Sequence, residues 1–185
     1  MVHQIPAARL QAVIRQATIR LVLLIGLPLF TLPACEAGSE TKPSPCGSGS
    51  AVVSIGVDDP LQVAPAAGFS IDEGLQGGYH VDVSLKIQGV VDPDQVDITL
   101  GLWQDETLIA RHRTDDWLLK IYPMTEHCEY PRARLVLSQR DGTLFELERV
   151  TSLLGQTVRL EVSVESSLGS VSDQFEIVLS QVNRR

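Results

Sequence analysis

Tyr79-His80-Val81-Asp82-Val83-Ser84-Leu85-Lys86-Ile87-Gln88 is the stretch that decides the fold. Apolar side chains at Tyr79, Val81, Val83, Leu85 and Ile87 alternate with polar ones at His80, Asp82, Ser84, Lys86 and Gln88. Successive side chains of an extended chain point to opposite faces, so one row enters a core and the other meets water. A helix would scatter both rows around its axis. The strand expected here runs from Tyr79 to Val90, in a sheet with one buried and one wet face.

The same period of two extends outward in both directions. Upstream, Ala51 to Val57 is a short apolar strand stopped by the turn residues Asp58-Asp59-Pro60. Downstream, strands are expected at Val96–Trp103, at Glu106–Arg113 and at Trp117–Tyr122, the last ended by Pro123. Ala133–Gln139 and Thr143–Val150 flank Arg140-Asp141-Gly142, a hairpin signal because Asp-Gly suits positive φ. Thr157–Glu165 and Asp173–Ser180 complete the set, joined by the turn Ser166–Ser170. No helix-period segment follows residue 35. About eight short strands punctuated by Gly, Asp and Pro predict an all-β antiparallel sandwich over residues 50–182, with a small barrel as the next architecture. Residues 183–185 are a tail. The final hairpin resembles the last strands of immunoglobulin-like and fibronectin-like domains, which implies an immunoglobulin-like β-sandwich. Trp103 lies between Cys46 and Cys128, but Cys46 precedes the first strand, so the antibody-type Cys–Trp–Cys pattern is not met.

The first 34 residues are of a different kind. They carry no acidic side chain and three arginines, Arg9, Arg15 and Arg20, followed by the apolar run Leu21 to Leu32. This run is shorter than the roughly 20 residues that span a bilayer, and it contains Pro28, so it reads as a secretory signal with a helical apolar core. Leu32-Pro33-Ala34-Cys35 resembles the lipobox of bacterial lipoproteins. The resemblance implies that residues 1–34 are a signal peptide cut off before Cys35, that the Cys35 thiol is diacylated, and that the new amino terminus is acylated too, palmitate being among the expected chains. The first implied partner is thus a lipid bilayer, since each buried acyl CH₂ contributes about 0.8 kcal/mol and two or more chains hold firmly. In that family Asp after the cysteine often marks inner-membrane retention; Glu36 stands here, which favours the outer membrane. Residues 36–49 contain no large apolar side chain, so 35–49 read as a lipidated cysteine on a flexible tether.

Charge and cysteine usage bound the function classes. The leader holds three of the 15 basic residues, leaving 12 against all 23 acidic ones in residues 35–185, a formal charge of −11. Such a surface has no electrostatic footprint for phosphate backbones, which excludes nucleic acid as a partner. It is also repelled by anionic membrane surfaces except through a lipid. With Cys35 set aside, Cys46 and Cys128 remain, and in an exported chain an even pair reads as a disulfide. Two free thiols or a metal-ligating pair are the other uses of these residues.

Chemistry-bearing patterns are sparse. Gly74-Leu75-Gln76-Gly77-Gly78-Tyr79-His80 is the most distinctive string, and it is similar to one in uncharacterised predicted lipoproteins. Its glycines permit positive φ or close backbone approach, a structural reason for them. By alternation His80 points away from the core, at the mouth of a groove. His80, His112 and His127 are candidate metal ligands, but no paired spacing brings them together. No Gly-x-Ser-x-Gly occurs, and the pairs Asp58-Asp59, Asp105-Glu106 and Asp115-Asp116 read as turns. Asp92-Pro93-Asp94 with Asp97 falls short of a calcium loop and also reads as a turn. Arg132 and Arg134 share a strand face, suited to a carboxylate or to blunting a sheet edge. Aromatics make up 5% of the chain, so Trp103, Trp117, Tyr122 and Tyr130 are expected mostly in the core rather than on a sugar-binding face. The expectation is a non-enzymatic envelope lipoprotein, without cofactor, that binds a protein or glycan partner or serves structurally. The alternative is a periplasmic small-ligand or metal-binding protein using His80, His112 and His127.

Overall fold

The computed structural model describes residues 44–58, 61–63, 68–75 and 77–184. The leader, Cys35 and the tether up to residue 43 lie outside them. The described strands are β1 (Val52–Val57), β2 (Gln62–Val63), β3 (Phe69–Glu73), β4 (Tyr79–Gln88), β5 (Val96–Gln104), β6 (Thr107–Trp117), β7 (Lys120–Tyr122), β8 (His127–Leu137), β9 (Thr157–Ser166) and β10 (Ser170–Asn183). One short helix, α1 (Leu147–Thr151), and a 3-10 turn at Pro123–Thr125 are the helical elements among the described residues. The described residues are mostly β, as the period of two predicts.

The strand order is β2-β1-β4-β3-β10-β9-β5-β6-β8-β7, and a further β4–β8 pairing closes seven of these strands into a ring. β1 and β7 continue the sheet outside the ring, beside β4 and β8. The sheet thus closes as a small barrel, the architecture expected second, and the two faces of a sandwich are joined through its seams. The closure arises because long strands change partners along their length. β4 pairs with β3 at Tyr79 and His80 but with β1 from Ser84 to Gln88. β10 pairs with β9 from Ser170 to Val178, then runs parallel to β3 from Leu179 to Asn183. The seams of the ring are narrow: β3–β4 consists of Asp72↔His80 and Glu73↔Tyr79, and β6–β8 of Ala110↔Leu137 and Arg111↔Val136. Alternation tells which face of a strand is buried; it carries no information about partners.

The inner rows form the core. Val81, Val83, Leu85 and Ile87 of β4 are fully buried, facing Ile98, Leu100 and Leu102 of β5 and Val158, Leu160 and Val164 of β9 in the same cluster. Burying each such side chain contributes about 1.5–3 kcal/mol. The expectation for aromatics is corrected: among the described ones Phe69, Tyr130 and Phe145 are buried, whereas Trp117 is 45% exposed. Trp103 lies half-buried under the Arg159 guanidinium, 5.5 Å from its ring. Facing rows of aliphatic residues leave few places for large rings.

The strand expected at 143–150 is also corrected. The Asp-Gly turn forms, with Gly142 at φ 86° and Gln139 N–H bonded to the Thr143 carbonyl at 2.7 Å. Only a single bridge, Ser138↔Leu144, follows it. The chain then enters α1, because Leu147, Val150 and Leu153 recur every three residues and bury Val150 and Leu153 completely.

Order is already present at Ser44. Its hydroxyl donates to the Val91 carbonyl at 2.6 Å and accepts the Val91 N–H at 3.3 Å, so the chain before β1 is stitched to the turn after β4. Cys46 is fully buried and disulfide-bonded to Cys128 of β8, 82 residues away. Closing a loop of this length stabilises the fold by about 4 kcal/mol in the chain-entropy model. Reduction, or a Cys46→Ala/Cys128→Ala pair, is expected to lower the unfolding free energy by about that amount in urea titrations; an unchanged midpoint would contradict it.

Candidate functional site

Two members of the outward row of β4, His80 and Ser84, are shielded from water, whereas Gln88 at its end is exposed. Ser84 is 1% and His80 6% exposed, so His80 is a buried residue that lines the cavities described below rather than one standing in open water. Ser84 sits at a bulge. The register passes from Val83↔Ala133 to Leu85↔Tyr130, leaving Pro131 and Arg132 opposite Ser84, with Arg132 in the left-handed region at φ 56°. The Ser84 hydroxyl donates to the Asp58 carbonyl at 2.8 Å and accepts the Arg132 N–H at 3.2 Å. The β3–β4 turn shares a cavity wall with His80; in it Gly77 and Gly78 take φ 85° and 77° and the Gly74 N–H bonds to the Gly78 carbonyl at 2.9 Å. A Cβ on Gly74 would lie 3.9 Å from His80 Nδ1, at ordinary van der Waals distance.

This packing gathers a polar cluster. Asp72 on β3 stands opposite His80 in register, and Asp82 follows two residues along the same face. Ligating atoms of Asp72, His80 and Asp82 all lie within 4.8 Å of one another, with His80 Nε2 3.8 Å from Asp82 Oδ1. Arg134, opposite Asp82 on β8, forks onto it: Nε to Oδ1 at 3.0 Å and Nη2 to Oδ2 at 3.0 Å. This hydrogen bonding holds the guanidinium pKa above its ordinary value. Asn183 Nδ2 donates to Asp72 Oδ1 at 2.7 Å. A cavity of about 250 Å³ is lined by Ser70, Asp72, His80, Asp82 and Arg134, among others. A second, of about 420 Å³, shares His80 and Arg134 and is walled by the glycine turn.

The three candidate histidines do not converge. Among the described residues the grouping of three ligating side chains is Asp72–His80–Asp82, which contains neither His112 nor His127. His127 is buried in its own set, with Nε2 3.0 Å from Glu129 Oε1, Nδ1 2.7 Å from Thr125 Oγ1, and its ring stacked 4.9 Å from that of Tyr122. His112 Nε2 lies 2.7 Å from the Tyr130 hydroxyl. The other candidates serve local structure: Asp92 Oδ1 accepts the Asp94 N–H at 3.2 Å and Asp97 Oδ1 accepts the Asp116 N–H at 2.9 Å. Arg134 does bind a carboxylate, that of this chain's own Asp82. Asp72, Asp82 and Asn183 were not singled out from the sequence. Asp82 stands beside His80 in the polar row, whereas the alternation in Phe69-Ser70-Ile71-Asp72 is too short to mark β3. Nothing local marks Asn183.

Comparison with known proteins finds no family model that matches the chain and no curated protein with significant similarity to it.

Burial lowers the His112 pKa below its ordinary 6.5, outweighing a hydrogen bond with the Arg134 backbone. Burial likewise raises that of Tyr130. The unfolded chain therefore binds the His112 proton more readily than the folded one, so this group's contribution is intact above pH about 6.5 and is lost as pH falls below it. Urea midpoints taken at pH 7.5 and 5.5 are expected to fall with acid, and less steeply in His112→Gln. Equal falls in both proteins would refute the assignment.

Proposed function

We propose that the protein is an exported lipoprotein, held in the bacterial cell envelope by acyl chains on Cys35, with a non-enzymatic, immunoglobulin-like binding or structural module. The observation that carries this reading is the buried Cys46–Cys128 disulfide, because such bonds persist in oxidising compartments outside the cytoplasm. It uses the two cysteines other than Cys35, which leaves the lipobox cysteine as the odd thiol. From Cys35 to Ser44 an extended chain reaches about 30 Å, which keeps the domain near the bilayer. A formal charge of −11 opposes direct contact with anionic lipid, so the anchor does the holding.

The immunoglobulin-like assignment draws on pairing order. β1-β4-β8-β7 match the A-B-E-D sheet, and β10-β9-β5-β6 the opposing G-F-C-C′ sheet, with β3 parallel to β10 as a split first strand. On this reading the narrow β3–β4 and β6–β8 seams are the corners where two sheets touch. The non-enzymatic assignment draws on the internal pairing of the polar side chains: Arg134 with Asp82, His127 with Glu129, His112 with Tyr130. For a protein or glycan partner, Trp117, Leu118 and Met124 around β7 offer contact area at 45%, 63% and 95% exposure. Glu36 after the lipobox, where the resembled family places Asp for inner-membrane retention, favours the outer membrane.

The test is Cys35→Ser. The wild-type chain is expected to incorporate labelled palmitate and to sediment with membranes, and the variant to lose the label and become soluble. Tight membrane association of an unlabelled variant would overturn the reading.

A further inference from the structure

We propose that Asp72, His80 and Asp82 form a binding site for one divalent transition-metal ion of the zinc type. The proposal is independent of lipid anchoring and rests on four features of the β3–β4 seam.

The first is proximity. Ligand atoms around zinc lie roughly 3.3 Å apart at ordinary bond lengths, and the three here already lie within 4.8 Å of one another, so small side-chain rotations complete the set. The second is rigidity: register places Asp72 and His80 opposite each other, and His80 is 6% exposed. The third is orientation by outer donors. Asn183 holds Asp72 at 2.7 Å and Arg134 forks onto both oxygens of Asp82 at 3.0 Å, hydrogen bonding that fixes the two carboxylates in place as outer donors fix carboxylate ligands. A carboxylate has about four lone-pair positions, so Asp82 accepts Arg134 and binds a cation together. The fourth is access, since the cavity of about 250 Å³ opens on these groups and leaves a coordination position for water or a small anionic ligand.

The donor set selects the ion class. One imidazole nitrogen with two carboxylate oxygens suits zinc and its neighbours, whereas calcium takes six to eight oxygens. Thiophilic ions are disfavoured, because Cys46 and Cys128 are oxidised. The Arg134 charge opposes a cation and limits the affinity. An ion here would join β3 to β4 across a seam of two residue pairs, so binding also stabilises the fold.

The experiment uses the full chain purified in detergent without a polyhistidine tag, stripped with chelator and titrated with zinc chloride by calorimetry. Thermal melting and the visible spectrum of the cobalt(II) form are recorded in parallel. The wild type is expected to take up one equivalent and to melt higher with zinc, with cobalt bands of a nitrogen/oxygen site. His80→Ala and Asp72→Asn are expected to weaken binding at least about 100-fold, and Asn183→Ala about tenfold. His112→Gln is expected to bind as wild type. Asn183 is exposed, so Asn183→Ala carries the test if His80→Ala fails to fold. No stoichiometric uptake by the wild type, or undiminished uptake by folded His80→Ala or Asp72→Asn, overturns the proposal; so does undiminished uptake by Asn183→Ala where His80→Ala does not fold.

Discussion

The ladder between β4 and β8, running from His80↔Val136 to Ile87↔Cys128, is the constraint on which the rest of the structure depends. It closes the ring, and it puts Val81, Val83, Leu85 and Ile87 beside Ala133, Leu135 and Leu137 at the centre of the core. It also carries the covalent tie, because Cys128 at its end holds Cys46 and thereby the start of the folded chain. With β1, β3, β6 and β7 all pairing onto this ladder, an error in its register would turn both rows of β4 inside out.

The outer side of the same ladder is polar and largely satisfied by itself. Arg134 forks onto Asp82, and Glu129 accepts from His127 on one oxygen and from the Leu61 N–H on the other at 3.3 Å. The bulge opposite Ser84 lets the turn after β1 fold down onto β4. Burial of a polar row is tolerated because each group finds a partner; left unpaired, a buried polar group costs about 1–3 kcal/mol. Paired carboxylates and imidazoles are also what a cation site requires, so structure and chemistry share these residues.

Much of the fold was legible, and the failures have physical causes. β4, β5, β9 and β10 were readable because each sets long apolar rows against polar ones. β3 was not, since Phe69 and Ile71 alone make too short a row, and Thr143–Val150 misled because its apolar spacing fits a helix once Leu153 is included. At the candidate site His80 was legible as an odd residue in a distinctive string, but not its burial at the β3–β4 seam. Asn183, 111 residues from the Asp72 it orients, had no sequence signal at all. His112 and His127 were equally plausible ligands on paper, and each found a separate partner.

From its sequence alone this chain was bound to be all-β, acidic, equipped with a lipobox-like leader, and furnished with a cysteine pair suited to a disulfide. Those properties reside in composition and in the period of two, which are local and survive without knowledge of contacts. Tertiary structure decided that the sheet closes through β4 and β8, that β3 runs parallel to β10, and that Asp72, His80 and Asp82 meet at a narrow seam. The physical reason is that side-chain alternation chooses a face for each residue, whereas pairing chooses its neighbours through backbone hydrogen bonds common to every strand.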